Sequence, residues 1–142
     1  MSSNLRGKKV VVFGGNGFLG SHLVNHLCEE ACEIKIVTKQ KKPKKKIFFA
    51  SEPGQVSFEE IVYEQSAINK AIRDYDIVFN LVGILEENKT SKFKFVHTEI
   101  TRRIATSVHL NKGKSYIHVS ALNVDISKDS KYELSKYNGE IE

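Results

Sequence analysis

Two groups of residues in this chain could do chemistry by their type and spacing. The first is Gly14-Gly15-Asn16-Gly17-Phe18-Leu19-Gly20, which holds four of the nine glycines. Gly14, Gly17 and Gly20 recur at every third position. Gly14 allows a tight turn, Gly17 lets backbone N–H groups approach a pyrophosphate, and Gly20 permits close packing of a helix on a strand. The partial positive charge of a helix N-terminus adds to such a site. The second group is Ser120 with Tyr132 and Lys136. A phenol and an ammonium four residues apart share one helix face. An ammonium so placed lowers a phenol's pKa from about 10 toward neutrality, which fits the phenol for general acid–base work. Alone the pair is a weak signal in a chain with five tyrosines and many lysines. Ser130 and Glu133 strengthen it, because they form a capping box that starts a helix with Tyr132 in its first turn.

Further positions follow from where a dinucleotide would lie. The second strand ends at Thr38 and Lys39, about 20 residues past the glycines, where an NAD site usually carries Asp or Glu for the ribose 2′-hydroxyl. No carboxylate stands there, and Lys41 and Lys42 follow. This favours NADP(H), with NAD(H) the alternative. Lys44, Lys45 and Lys46 read equally well as a solvated loop. Glu59, Glu60 and Ile61 fall after the third strand, beside an adenine. Asn80-Leu81-Val82-Gly83 ends the fourth, where Gly83 would let a ribose approach. The five histidines show no metal-ligand pattern, so no metal site is expected, and His118 reads as core or cofactor-adjacent.

The elements that must hold these residues are legible in the apolar pattern. Lys9 to Phe13 is a buried strand, and Gly17 to about Glu30 has helical spacing through Phe18, Leu19, Leu23, Val24, Leu27 and Cys28. Glu33 to Thr38 is a second strand. Gln55 to Phe58, extending toward Val62, is a weaker third. Ser66 to Arg73 is a short helix and Asp76 to Val82 a strong strand. Phe93 to Leu110 reads as one helix, Ser115 to Val119 as a fifth strand, and a last helix starts near Lys131. Strands apolar on both faces that alternate with helices predict an α/β fold of Rossmann type: a doubly wound parallel sheet in the order 3-2-1-4-5.

The 142 residues suit one domain, residues 1–142. The net charge of +5 is local, since Lys39 to Lys46 holds six of the 22 basic residues and leaves 16 against 17 acidic ones. Without interleaved aromatics this run does not predict nucleic-acid binding. The longest mostly apolar run, Ile77 to Leu85, is about half of a ~20-residue membrane span. Met1 to Lys9 has no apolar signal core. The expectation is a cytoplasmic protein, or one peripheral at the inner membrane. Cys28 and Cys32 read as two half-buried thiols in a reducing compartment.

Taken together, Lys9 to Gly20, Asn80 to Leu85, and His118 to Asn123 with Tyr132 to Glu140 resemble the atypical or extended short-chain dehydrogenases of the NAD-dependent epimerase/dehydratase kind. The resemblance is nearest to the 39-kDa-subunit type of respiratory complex I. It implies a Rossmann domain that binds NADP(H) through Gly14, Gly15, Asn16, Gly17, Phe18, Leu19, Gly20, Thr38, Lys39, Glu60, Ile61, Leu81, Val82 and Gly83. It further implies that Tyr132 and Lys136 hold the nicotinamide ribose, with Ser120 beside the nicotinamide. His97 stands where extended members often have asparagine. Members also continue past the position of Glu142 with a sixth strand and a substrate-binding region. The expected domain is therefore incomplete at its C-terminus, with strand five left as an open edge. Three functions fit: an oxidoreductase or epimerase-like domain moving hydride, a non-catalytic accessory or assembly subunit with respiratory-complex subunits or a complementary C-terminal chain as partners, and an inactive remnant.

Overall fold

A computed structural model describes residues 4–39, 50, 52–125 and 129–142. Five strands, β1 (Lys9–Phe13), β2 (Glu33–Thr38), β3 (Val56–Glu60), β4 (Ile77–Asn80) and β5 (Ser115–His118), form one sheet in the order β3-β2-β1-β4-β5. Every pair is parallel. The helices are α1 (Phe18–Glu29), α2 (Gln65–Ile72), α3 (Ile100–Leu110) and α4 (Lys131–Ile141). This is the expected Rossmann-type order, and the crossovers that generate it put helices on both faces.

The central strand shows why its sequence is apolar throughout. Successive side chains of a strand point to opposite faces. Val11 and Phe13 join a core with Val37, Ile68, Ile72, Val78, Ile100 and Ile104, on the side of α2 and α3. Val10 and Val12 join the opposite core with Val24, Leu27, Ile34 and Ile36, on the side of α1. The outer strands depart from the expected two-sided burial. β3 and β5 are largely half-exposed, with Phe58 and Ile117 partly in solvent, because each has only one neighbouring strand among the described residues.

Two further expectations are corrected. Residues 93–110 are not one α-helix. A π-helical turn over Lys94–Glu99 leads into α3. α4 packs on this turn so closely at Gly139 that a Cβ there would collide with the His97 carbonyl oxygen. Cys28 and Cys32 are free and fully buried rather than half-buried. They sit in the α1-side core, where the Cys32 thiol points at the Leu5 carbonyl oxygen, 3.4 Å away. Burial pushes both thiols above their ordinary pKa.

Candidate functional site: a cleft across the C-terminal ends of the strands

The turn after β1 is built by close backbone contact. Gly14 has φ +78°, the left-handed region that glycine enters without penalty, and a Cβ there would stand 2.9 Å from the Leu81 carbonyl group. The Gly17 N–H donates to the Gly14 carbonyl at 3.0 Å, which folds the chain back to begin α1. A Cβ on Gly20 would collide with that same carbonyl and lie 2.7 Å from Gly15 Cα. The start of α1 is thus pressed on the turn. Among the described residues no side chain caps α1 and its first turn holds no acidic residue, and its positive end lies at the cleft. Gly15 points the other way. It is buried against Ile36 and Val12, so its place is in the packing rather than the cleft wall.

Three adjoining depressions make one cleft over the sheet. The first, about 630 Å³, is lined by Lys39, Glu60, Ile61, Val62, Tyr63 and Phe95. The second, about 400 Å³, shares Lys39 and Tyr63 with it and runs over Gly14, Asn16, Gly17 and Thr38 to Leu81, Val82 and Gly83. The third, about 300 Å³, takes in Gly17, Phe18, Leu19, Gly20 and Gly83 and ends at Ser120, Tyr132 and Lys136. The three depressions share lining residues and take in Gly14, Asn16, Gly17, Phe18, Leu19, Gly20, Thr38, Lys39, Glu60, Ile61, Leu81, Val82, Gly83, Ser120, Tyr132 and Lys136, whereas Gly15 and Glu59 are not part of their lining.

At the β2 end, Asn16 Nδ2 donates to Thr38 Oγ1 at 3.1 Å and ties the glycine turn to the strand. The Lys39 ammonium lies 5.7 Å from the ring centroids of Tyr63 and of Phe95. Both rings escaped the sequence reading, because they reach Lys39 from the connection after β3 and from the π-helical turn. Burial raises the Tyr63 phenol to about 12. Strand alternation separates the two glutamates: Glu59 pairs with Lys35 at 2.7 Å, whereas Glu60 lines the cleft. Lys41, Lys42, Lys44, Lys45 and Lys46 lie outside the described residues.

At the β5 end, the expected capping box is present. Ser130 Oγ accepts the Glu133 N–H at 3.1 Å, and the Glu133 carboxylate accepts the Ser130 N–H at 3.1 Å. It starts α4 so that Tyr132 and the buried Lys136 both reach the cleft. Burial lowers the pKa of Lys136, opposed by the Glu140 charge. A Cβ on Gly83 would stand 3.4 Å from Lys136 Nζ. Ser120 Oγ is buried with no hydrogen-bond partner among the described residues, and so is His118 Nε2. Asn80 is fully buried. Its amide donates toward Thr101 Oγ1 and His118 Nδ1, and its oxygen accepts the Val82 N–H. It therefore anchors the turn beneath Leu81 to Gly83.

His97 also lies here, 1% exposed. Its Nε2 accepts the Ile84 N–H at 3.0 Å, so Nδ1 carries the hydrogen and donates to Ser135 Oγ at 2.9 Å. Its ring meets Tyr132 edge-on, centroids 5.3 Å apart, and stacks on Phe93. Burial, then the Lys136 charge, lowers its pKa to about 4.

These features fit an extended dinucleotide. The turn would be filled by any Cβ, the helix end is open to an anion, and Ser120 presents an orphaned hydroxyl. The comparisons with known proteins agree. The chain is 31% identical over 139 residues to the mitochondrial NADH-ubiquinone oxidoreductase 40 kDa subunit of Neurospora crassa, a match covering 97% of this chain and 37% of that protein. It is 32% identical over 142 residues to mitochondrial NADH dehydrogenase (ubiquinone) 1 alpha subcomplex subunit 9 of Mus musculus, covering 99% and 38%. The chain therefore spans under two fifths of the length of these curated relatives. Among solved structures, the Bordetella bronchiseptica enzyme WbmF in complex with NAD+ superposes with a TM-score of 0.76 at 26% identity, over 98% of this chain and 45% of that one. The NAD dependent epimerase/dehydratase family matches residues 10–131, and with the Rossmann-type sheet and the cleft in place, this chain belongs to that family.

Proposed function

We propose that residues 1–142 form a nicotinamide-dinucleotide-binding domain that takes NADP(H) in preference to NAD(H). The observation that carries this reading is the continuous cleft, with a cation at the end of β2 and an orphaned hydroxyl beyond β5. Glu60 and Ile61 would flank the adenine. Thr38 and Lys39, with Lys41 and Lys42, would meet a 2′-phosphate. Amides of the turn from Gly14 to Gly20 would hold the pyrophosphate. Leu81, Val82 and Gly83 would floor the nicotinamide half, whose ribose Tyr132 and Lys136 would hold.

When bound, the cofactor supplies hydride chemistry. Ser120 would donate a hydrogen bond to a carbonyl oxygen, and the Tyr132 phenol would hold the proton exchanged with that oxygen. The Lys136 ammonium would stabilise the phenolate. His97 takes no part as a base, because both its ring nitrogens are committed to Ile84 and Ser135. Titration calorimetry with NADPH and NADH side by side tests the cofactor. Tighter NADPH binding is expected, lost when Lys39, Lys41 and Lys42 become Glu, and equal affinities refute the NADP(H) assignment. Confirmed binding without NADPH oxidation across a broad carbonyl panel would remove the catalytic part.

A second reading is a non-catalytic accessory or assembly subunit of a respiratory complex, favoured by the match, over nearly the whole of this chain, to proteins named as subunits of NADH-ubiquinone oxidoreductase and of NADH dehydrogenase (ubiquinone). No described helix is long and apolar enough to cross a membrane. In this reading the domain works from the cytoplasm or at the inner-membrane surface. A pull-down from its native membranes that recovers no respiratory subunits counts against it. A cooperative thermal transition raised by NADPH excludes an inert remnant.

A further inference from the structure

Among the described residues His97 is the bulkiest polar side chain that is fully buried, and the dinucleotide reading gives it no chemical task. Its bonds nevertheless form a directed chain. The Ile84 N–H donates to Nε2, Nδ1–H donates to Ser135 Oγ, and that hydroxyl donates to the Tyr132 carbonyl at 2.7 Å. The chain joins the cleft floor after β4 to the first turn of α4. Only one neutral tautomer satisfies it, since a proton on Nε2 would oppose the Ile84 N–H. Two features hold the ring there. The π-helical turn, a winding often found at functional sites, carries both Val96 and His97 inward. Gly139 lets α4 close on the His97 carbonyl. From α4 the charged or titratable neighbours are Lys136 and Tyr132, and from β5 His118.

We propose that His97 is a positioning residue: as its Nδ1–H tautomer it straps Ile84 to α4 and so fixes Tyr132 and Lys136 over the nicotinamide end of the cleft. The proposal rests on the dinucleotide reading. It places the residue's effect in geometry rather than in proton transfer. An asparagine or glutamine can keep only one half of the strap each, the donor toward Ser135 or the acceptor for Ile84.

The test compares wild type with His97→Phe, His97→Gln and His97→Asn. Nitrogen-15 NMR of the wild-type imidazole should show Nδ1–H at every pH from 8 to 5. Calorimetry with NADPH should show His97→Phe weakened about tenfold, with His97→Gln and His97→Asn in between. An Nε2–H tautomer, a ring titrating near 6.5, or wild-type affinity in His97→Phe overturns the proposal. If His97→Phe does not fold, the tautomer and the two amide variants still decide. A wild type that binds neither NADPH nor NADH is instead a failure of the dinucleotide reading. Wild-type binding with an indifferent His97→Phe is a failure of the strap alone.

Discussion

The glycine turn grows from the central strand of the sheet, whereas Ser120 stands just past the outermost one. β1 has a neighbour on each side, and Val10 to Phe13 are wholly buried. Among the described residues β5 pairs with β4 alone, and it alternates between exposed and half-buried positions. The region assigned to the pyrophosphate is therefore inseparable from the core. The region assigned to chemistry is supported mainly by helix contacts, through the capping box, Gly139 and His97. Substitutions at the central end should cost stability and binding together. Those at the edge should alter binding with little cost, or even some gain, in stability.

The sharpest way to break this contrast is at Gly20. Even the methyl group of Gly20→Ala meets backbone atoms that cannot step aside. A loss of about 3–4 kcal/mol is expected, or roughly 10 °C in the thermal midpoint, along with NADPH binding. A midpoint within about 2 °C of wild type would show that the turn is not welded to the core.

Acid should act next, through His97. The unfolded residue gains a proton below about 6.5 and the folded one only below about 4. Between those values the unfolded chain holds more protons, so stability is full above 6.5 and falls as pH drops through the window, by about 2–3 kcal/mol at most. Urea unfolding from pH 7 to 4 measures it. His97→Gln should flatten that part of the profile, and an unchanged slope would assign the acid sensitivity elsewhere.

Changing Lys39 to Glu should leave the midpoint within about 1 °C, since the side chain is exposed, while reducing the proposed preference for NADPH about tenfold. The smallest effect is expected at the edge. Ser120→Ala removes an orphaned buried hydroxyl, so the ligand-free protein should gain up to about 1 kcal/mol while the NADPH-induced rise in midpoint shrinks. A destabilised Ser120→Ala would mean that the hydroxyl serves the fold.

Much of this was legible in the residue order. β-branched runs marked the strands to within about two residues, and handed crossovers then left one strand order. The glycine spacing and the capping box were local signals, and the structure bears both out as geometry. What escaped was set by long-range packing. Nothing in residues 93–99 announces a π-helical turn, and Gly139, which packs against it, lies some forty residues later. Tyr63 and Phe95 could not be paired with Lys39 from spacing, since three separate segments supply them. The choice between Glu59 and Glu60 was within reach of strand alternation, but only once the register with β2 was known. Gly15 looks like its neighbours in sequence, and only Ile36 across the sheet reveals that it is packing.

The two buried thiols lend the molecule a clock. Cys28 and Cys32 belong to the layer of α1 and β2 that the glycine turn joins to β1, and burial keeps them protonated and out of reach of reagents. An alkylating probe can meet them only during excursions that lift this layer from the sheet. Its rate of uptake therefore counts how often the end proposed to bind the dinucleotide comes apart while the rest stays folded. A bound dinucleotide should slow that count, and a ligand resting only near Ser120 should leave it running.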